Sequence, residues 1–223
     1  DHLYIKNKYL SHRSIFKDDK YLNNLDLNDL IKNQKHRINF CDLGTFSIDP
    51  DNAQDFDDAI SIKFEKNIYT LIVHIADVSE FVSEKSPIDR SALQNGNSYY
   101  FPEKSYHMLP NDLATKLCSL VPGEKRLAVS ICFQLTEEGD IVNEYATLSV
   151  IKNKNRLSYD EVDEILGSPN NSKLYRDIYT LYELHKLLRK KRLENGALNI
   201  LNTEISFEYN AKGVPIKTIE KKQ

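Results

Sequence analysis

The chain has 223 residues, 30 Lys and Arg against 33 Asp and Glu for a formal net charge of −3, and a mean hydropathy of −0.52. That length is enough to bury a substantial core, which we read as one domain, and no apolar run approaches the ~20 residues that a membrane-spanning helix needs. The slightly acidic balance supplies no basic footprint for a nucleic acid, although two bound divalent cations would reverse its sign where phosphates would sit.

Residues 1–36 are rich in Lys, Asn and Asp and read as a linker or approach segment with one short helix over residues 25–31. A domain boundary near residue 36 is expected, because from Ile38 onward apolar and β-branched stretches alternate with turn chemistry. Two hairpins follow: residues 59–64 with 68–75 across Glu65-Lys66-Asn67, and residues 127–135 with 141–150 across Glu137-Glu138-Gly139-Asp140. Between them Pro87, Pro102, Pro110 and Pro122 leave room only for short helices around Ala92 and Leu113. Ser158 and Glu161 form a capping box for a helix to Leu166, and Gly167-Ser168-Pro169 ends it. A longer helix places Leu174, Ile178, Leu181, His185 and Leu188 on one face and stops at Gly196. A third hairpin joins residues 197–209 to 214–219. The fold class expected is α/β, a mixed or largely antiparallel sheet with peripheral helices.

Cys41, Cys118 and Cys132 form no CxxC pair and leave an odd number, which suits a reducing cytoplasm and buried thiols. The start Asp1-His2-Leu3 has no initiator Met and no signal-peptide pattern, so the sequence reads as an excised piece of a longer soluble chain.

The most informative stretch is SIDPDNAQDFDDAI, residues 47–60, with five carboxylates in ten positions. Aspartates this crowded raise one another's pKa unless a cation compensates them. Hard oxygen donors favour Mg²⁺ or Mn²⁺ over zinc. With one strand ending at Asp49 and another beginning near Asp55, a bend at Pro50 would return Asp49 toward Asp55, Asp57 and Asp58, while Asp51 serves the turn. A solvated acidic turn is equally compatible with composition alone. A calcium loop fails on spacing, since counting from Asp49 the sixth position is Gln54 and the twelfth is Ile60.

This run resembles the aspartate signature of the catalytic (RNB) domain of the RNase II and RNase R family, and further blocks follow in the family's order. These are His74-Ile75-Ala76-Asp77-Val78-Ser79, then Asn97-Ser98-Tyr99-Tyr100-Phe101-Pro102 with Met108-Leu109-Pro110, then Leu117-Cys118-Ser119-Leu120 with Arg126-Leu127-Ala128. Weaker similarity runs through Arg156-Leu157-Ser158-Tyr159 and Asn195-Gly196-Ala197-Leu198, and the detail is most similar to the bacterial RNase R branch. The resemblance implies that residues 37–223 are the N-terminal part of such a catalytic domain. It implies hydrolytic 3′-to-5′ degradation of single-stranded RNA to nucleoside 5′-monophosphates, with no covalent intermediate. Asp49, Asp55, Asp57 and Asp58 would be the metal-site carboxylates, with two Mg²⁺ or Mn²⁺ ions in the complete site. Tyr100 would pack against the nucleotide at the RNA 3′ end, flanking OB-type RNA-binding domains would complete the protein, and the compartment would be cytoplasmic.

The chain departs from the family in three places. Ile200 falls where a second aromatic clamp is expected, His107 stands where Pro often precedes Met-Leu-Pro and reads as a surface or loop histidine, and the sequence stops before the family's downstream Arg and Glu motifs. His74 reads as structural and His185 as a core or boundary residue. Asp77 either orients a metal ligand or caps a strand end. Arg189-Lys190-Lys191-Arg192 reads first as a helix-dipole complement and second as a phosphate contact. Alternative readings are a catalytically incomplete RNA-binding module of the same fold and a calcium-stabilised structural protein.

Overall fold

The computed structural model describes residues 25–51, 53–100, 105–170, 172–198, 203–210 and 214–222. Its centre is a seven-stranded mixed sheet built from β1 (Ile38–Asn39), β2 (Thr45–Ile48), β3 (Asp58–Glu65), β4 (Ile68–Ala76), β7 (Lys125–Thr136), β8 (Ile141–Lys152) and β9 (Asn155–Leu157). The strand order is β1-β8-β7-β4-β3-β2-β9, parallel at the two edges and antiparallel between. The expected largely antiparallel α/β architecture is therefore present.

Local chemistry sets the two central hairpins. β3 pairs with β4 through Glu65 opposite Ile68, so Lys66-Asn67 is a two-residue loop, and both have positive φ, 52° and 63°. Such a loop has the twist that antiparallel strands need. β7 and β8 turn through Gly139 at φ 76°.

Helices α1 (Leu27–Asn33), α2 (Pro87–Asn95), α3 (Tyr159–Gly167) and α4 (Lys173–Glu194) surround the sheet. Asp26 caps α1, Ser86 caps α2 with Pro87 in its first turn, and Ser158 with Glu161 makes the expected capping box on α3. Leu27, Leu30 and Ile31 of α1 pack on a core of Ala59, Phe81, Leu113, Leu120, Leu127 and Ile151. Residues 25–36 thus lie against the sheet domain. α4 covers β3 through Ile178 and Leu184, with Leu174, Leu181, Leu187 and Leu188 beside them. Its seam runs in mixed steps of three and four residues, which leaves His185 exposed instead of at the expected core or boundary position.

The segment between the hairpins holds more structure than its prolines suggested. After α2 it forms a small hairpin of β5 (Tyr99–Tyr100) and β6 (Ser105–Tyr106), then a π-helical turn at Leu113–Leu117. A separate hairpin pairs β10 (Thr203–Tyr209) with β11 (Pro215–Lys222), starting later than the sequence suggested.

A chain of buried polar side chains crosses the sheet. Thr45 Oγ1 lies 2.8 Å from Ser61 Oγ, which lies 3.0 Å from His74 Nε2. His74 Nδ1 lies 2.6 Å from Ser130 Oγ, itself 2.6 Å from Ser149 Oγ, which donates to the Ala128 carbonyl. Each of the strands β2, β3, β4, β7 and β8 contributes one member, so a slip of one residue would break several bonds together. His74 is structural, as its place in the sequence implied.

Candidate active site

The acidic loop is fixed at both ends and in the middle by the backbone. Asp49 N donates to the Leu157 carbonyl at 2.9 Å, carrying the β2–β9 pairing one residue past Ile48. Ala53 N closes a turn on the Pro50 carbonyl, which also accepts from Arg156 Nη2 at 2.5 Å. The Arg156 guanidinium lies 5.8 Å from the centre of the Phe56 ring. At the far end Asp58 opens β3 opposite Ile75, and Ala76 N donates to the Asp57 carbonyl.

The strand expected to resume near Asp55 starts at Asp58 instead. Phe56 N donates to Ser119 Oγ at 2.9 Å, and the Phe56 carbonyl accepts from Leu120 N at 2.8 Å. A distant turn thus takes the backbone groups that a neighbouring strand would need. Ser119 is held in turn, because Arg126, 6% exposed, donates through Nε to the Ser119 and Lys116 carbonyls. The Leu117-Cys118-Ser119-Leu120 and Arg126 blocks brace the loop between Asp55 and Asp57.

Asp55 and Asp57 line one cavity, and the carboxyls of Asp49 and Asp57 both feel the charges of Asp55 and Asp58. Desolvation pushes the Asp57 carboxyl above the ordinary carboxylate value, and Asp55, Asp58 and Asp49 push it further while His107 opposes them. Desolvation likewise raises Asp49; Asp58 and Asp55 add to the rise, whereas a Ser47 hydrogen bond and Arg156 oppose it. Asp49 Oδ2 is buried with no hydrogen-bond partner among the described residues.

The cavity, of about 410 Å³, is lined by Asp55, Asp57, Tyr100 and His107 over an apolar wall that includes Ile75, Val78, Met108 and Leu109. The Tyr100 hydroxyl donates to Asp55 Oδ2 at 2.5 Å. Desolvation and that bond push the phenol up to about 12, so it stays protonated and keeps donating. The ring remains 64% exposed, free to meet a flat partner.

His107 lies in a loop, one of its two expected readings, but not at the surface. Its side chain is 9% exposed, with Nδ1 3.7 Å from Asp55 Oδ2 and its ring edge-on to Tyr100. The segment follows β6, which pairs with β5. Asp77 sits at the strand end, directly after β4 and at the start of a 3-10 turn, where it forms a buried ion pair with Arg37 Nη2 at 2.6 Å, and Ser79 Oγ donates to its other oxygen. Arg37, which the sequence reading passed over, lies forty positions from its partner. Cys118 lines the cavity, but burial pushes its thiol up to about 12, which removes it as a nucleophile. Phe101, Pro102 and Ile200 lie outside the described residues.

Among the described residues no three His, Cys, Asp or Glu side chains are gathered closely enough to hold an ion by themselves. Of the four aspartates expected to hold metal, Asp55 and Asp57 line the cavity and Asp49 and Asp58 do not. That donor set, with the partnerless Asp49 Oδ2, fits Mg²⁺, which typically takes one or two carboxylates and completes its shell with water and substrate phosphate.

Fold and site together define a mixed α/β domain that presents the carboxylates of Asp55 and Asp57 and an exposed aromatic residue at an apolar cavity. Residues 37–223 match the model of the RNB domain, and the chain belongs to that family. It is 38% identical over 183 residues to ribonuclease R of Chlamydia trachomatis, covering 82% of this chain and 26% of the relative. The structure superposes on Mycoplasma genitalium RNase R in complex with ribose-methylated single-stranded RNA with a TM-score of 0.89 and 28% identity, covering 99% of this chain and 36% of that one. Yeast Ssd1, a pseudonuclease, shares the fold at a TM-score of 0.63 and 22% identity, covering 82% of this chain and 21% of that one. The chain thus spans about a quarter of the length of the curated relatives it matches.

Proposed function

We propose that this chain is the N-terminal part of the catalytic domain of a metal-dependent 3′-to-5′ exoribonuclease, which hydrolyses single-stranded RNA to nucleoside 5′-monophosphates in the cytoplasm. In this reading the domain occupies residues 37–223, residues 1–36 lead into it, and OB-type domains flank it in the full natural polypeptide. The observation that carries the proposal is the Tyr100–Asp55 hydrogen bond, which sets an aromatic platform and an acidic side chain on one cavity.

Asp49, Asp55, Asp57 and Asp58 would hold Mg²⁺ or Mn²⁺, with two ions in the complete site. Once bound, the ions supply charge neutralisation at the phosphate and an activated water. The chain's own residues do the rest. The Tyr100 ring stacks on the terminal base without regard to its identity. Ile75, Val78, Met108 and Leu109 keep bulk water from the cavity wall. The carboxylates orient the water for attack on phosphorus, the P–O3′ bond breaks, and the shortened RNA keeps a 3′-hydroxyl. RNA held by the Mycoplasma relative supports the substrate class.

The test incubates a 3′-tailed single-stranded RNA and Mg²⁺ with this chain, with the full natural polypeptide, and with each carrying Asp57→Asn. Mononucleotide release by the full polypeptide, and at least a hundredfold loss in the variant, is expected. Equal release by both would remove Asp57 from the mechanism. A second reading is an RNA-binding module without turnover; RNA binding without release by the full polypeptide would select it.

A further inference from the structure

The Tyr100–Asp55 contact joins the two halves of the proposed reaction, the carboxylates that would hold cations and the ring that would hold the RNA end. We propose that the Tyr100 hydroxyl, braced by His107, makes cation binding at Asp55 and seating of the RNA 3′ end mutually reinforcing. This inference rests on the function proposed above and deepens it.

Both contacts converge on a single oxygen. Tyr100 Oη donates to Asp55 Oδ2 at 2.5 Å, and His107 Nδ1 approaches the same atom to 3.7 Å. No hydrogen bond among the described residues is made to Asp55 Oδ1, so that oxygen remains for an ion. The imidazole meets the phenol ring edge-on, with centroids 6.1 Å apart and an interplanar angle of 86°. Its segment is anchored on either side: Tyr106 pairs with Tyr99, Met108 N donates to Ser98 Oγ at 2.9 Å, and Asn95 Nδ2 donates to the Met108 carbonyl at 3.1 Å. His107 is therefore a fixed wall that limits where the phenol and the carboxylate can turn.

An ion on Asp55 would immobilise its carboxylate, and through the hydrogen bond the phenol ring. A base stacked on that ring would hold the carboxylate in the orientation the ion needs. The side-chain freedom of Asp55 and Tyr100 is then lost once for two ligands, and such coupling is reciprocal. His107 acts as a positioning residue in this scheme and needs no contact with RNA.

The probe is a ribose-methylated single-stranded RNA, and the readout is Mn²⁺ affinity of the full natural polypeptide, followed by the electron paramagnetic resonance signal of free Mn²⁺ with and without that RNA. In the wild type, RNA is expected to tighten Mn²⁺ binding. Tyr100→Phe keeps the ring but not the hydroxyl, and should reduce that tightening by roughly tenfold, the scale of one charge-assisted hydrogen bond. His107→Ala should reduce it several-fold, whereas His107→Asn, which sets an amide nitrogen near the place of Nδ1, should restore most of it. Tightening in Tyr100→Phe equal to that in the wild type would overturn the coupling and leave the exoribonuclease reading intact. No tightening in the wild type would also overturn the coupling, whereas the exoribonuclease reading stands or falls on mononucleotide release.

Discussion

Acid should unfold this domain partly through one histidine. His74 is fully buried, its two nitrogens face the Ser61 and Ser130 hydroxyls, and no carboxylate partners it. Burial lowers its pKa from the ordinary 6.5 to about 4. The folded state thus resists a proton that the unfolded chain accepts. The stabilising contribution is complete above about pH 6.5, declines as the pH falls, and is lost below about pH 4. The interval between the two values corresponds to about 3 kcal/mol, most of which is lost by about pH 4.5. The comparison is with His74→Asn, which still offers a donor and an acceptor but cannot titrate. Because the chain has no Trp, urea unfolding is followed by far-ultraviolet circular dichroism, at several pH values between neutrality and about 4.5. Both proteins share the raised Asp49 and Asp57 carboxyls, so their difference isolates the imidazole. Stability curves that stay parallel across that range would refute the reasoning.

Two further substitutions test the packing around the site. Arg37→Met strands the buried Asp77 carboxylate, whose pKa the Ser79 and Arg37 hydrogen bonds hold below the ordinary value, and should cost about 3–5 kcal/mol, read as a melting temperature lower by on the order of 10 °C. The double variant Arg37→Met with Asp77→Leu should recover most of that loss, and no recovery would mean that the Arg37 contacts to Glu80 and to the Ala128 and Ser149 carbonyls matter more than its pair with Asp77. Gly44→Ala should change stability by less than about 1 kcal/mol. Its new methyl group would lie 2.5 Å from Lys173 Nζ and 2.9 Å from Asp177 Oδ2, but Lys173 is a flexible exposed side chain that can swing away. A larger loss would show that the Lys173–Asp177 pair anchors α4.

The order of the blocks along the chain identified the family, and the turn residues marked the two central hairpins, because both kinds of signal are local. A left-handed Lys66-Asn67 loop, a Ser158–Glu161 capping box and a row of aspartates all act over a few residues, so the sequence alone determined them. Only the tertiary structure decided where the aspartates point. The backbone around Phe56 is held by Ser119 and Leu120 some sixty positions later, which delays the strand to Asp58. The same holds for the Arg37–Asp77 pair and for His107, which follows β6 and lies beside Asp55. Each of these depends on partners far apart in the chain, whose proximity is set by the packing of the sheet and not by spacing along the sequence.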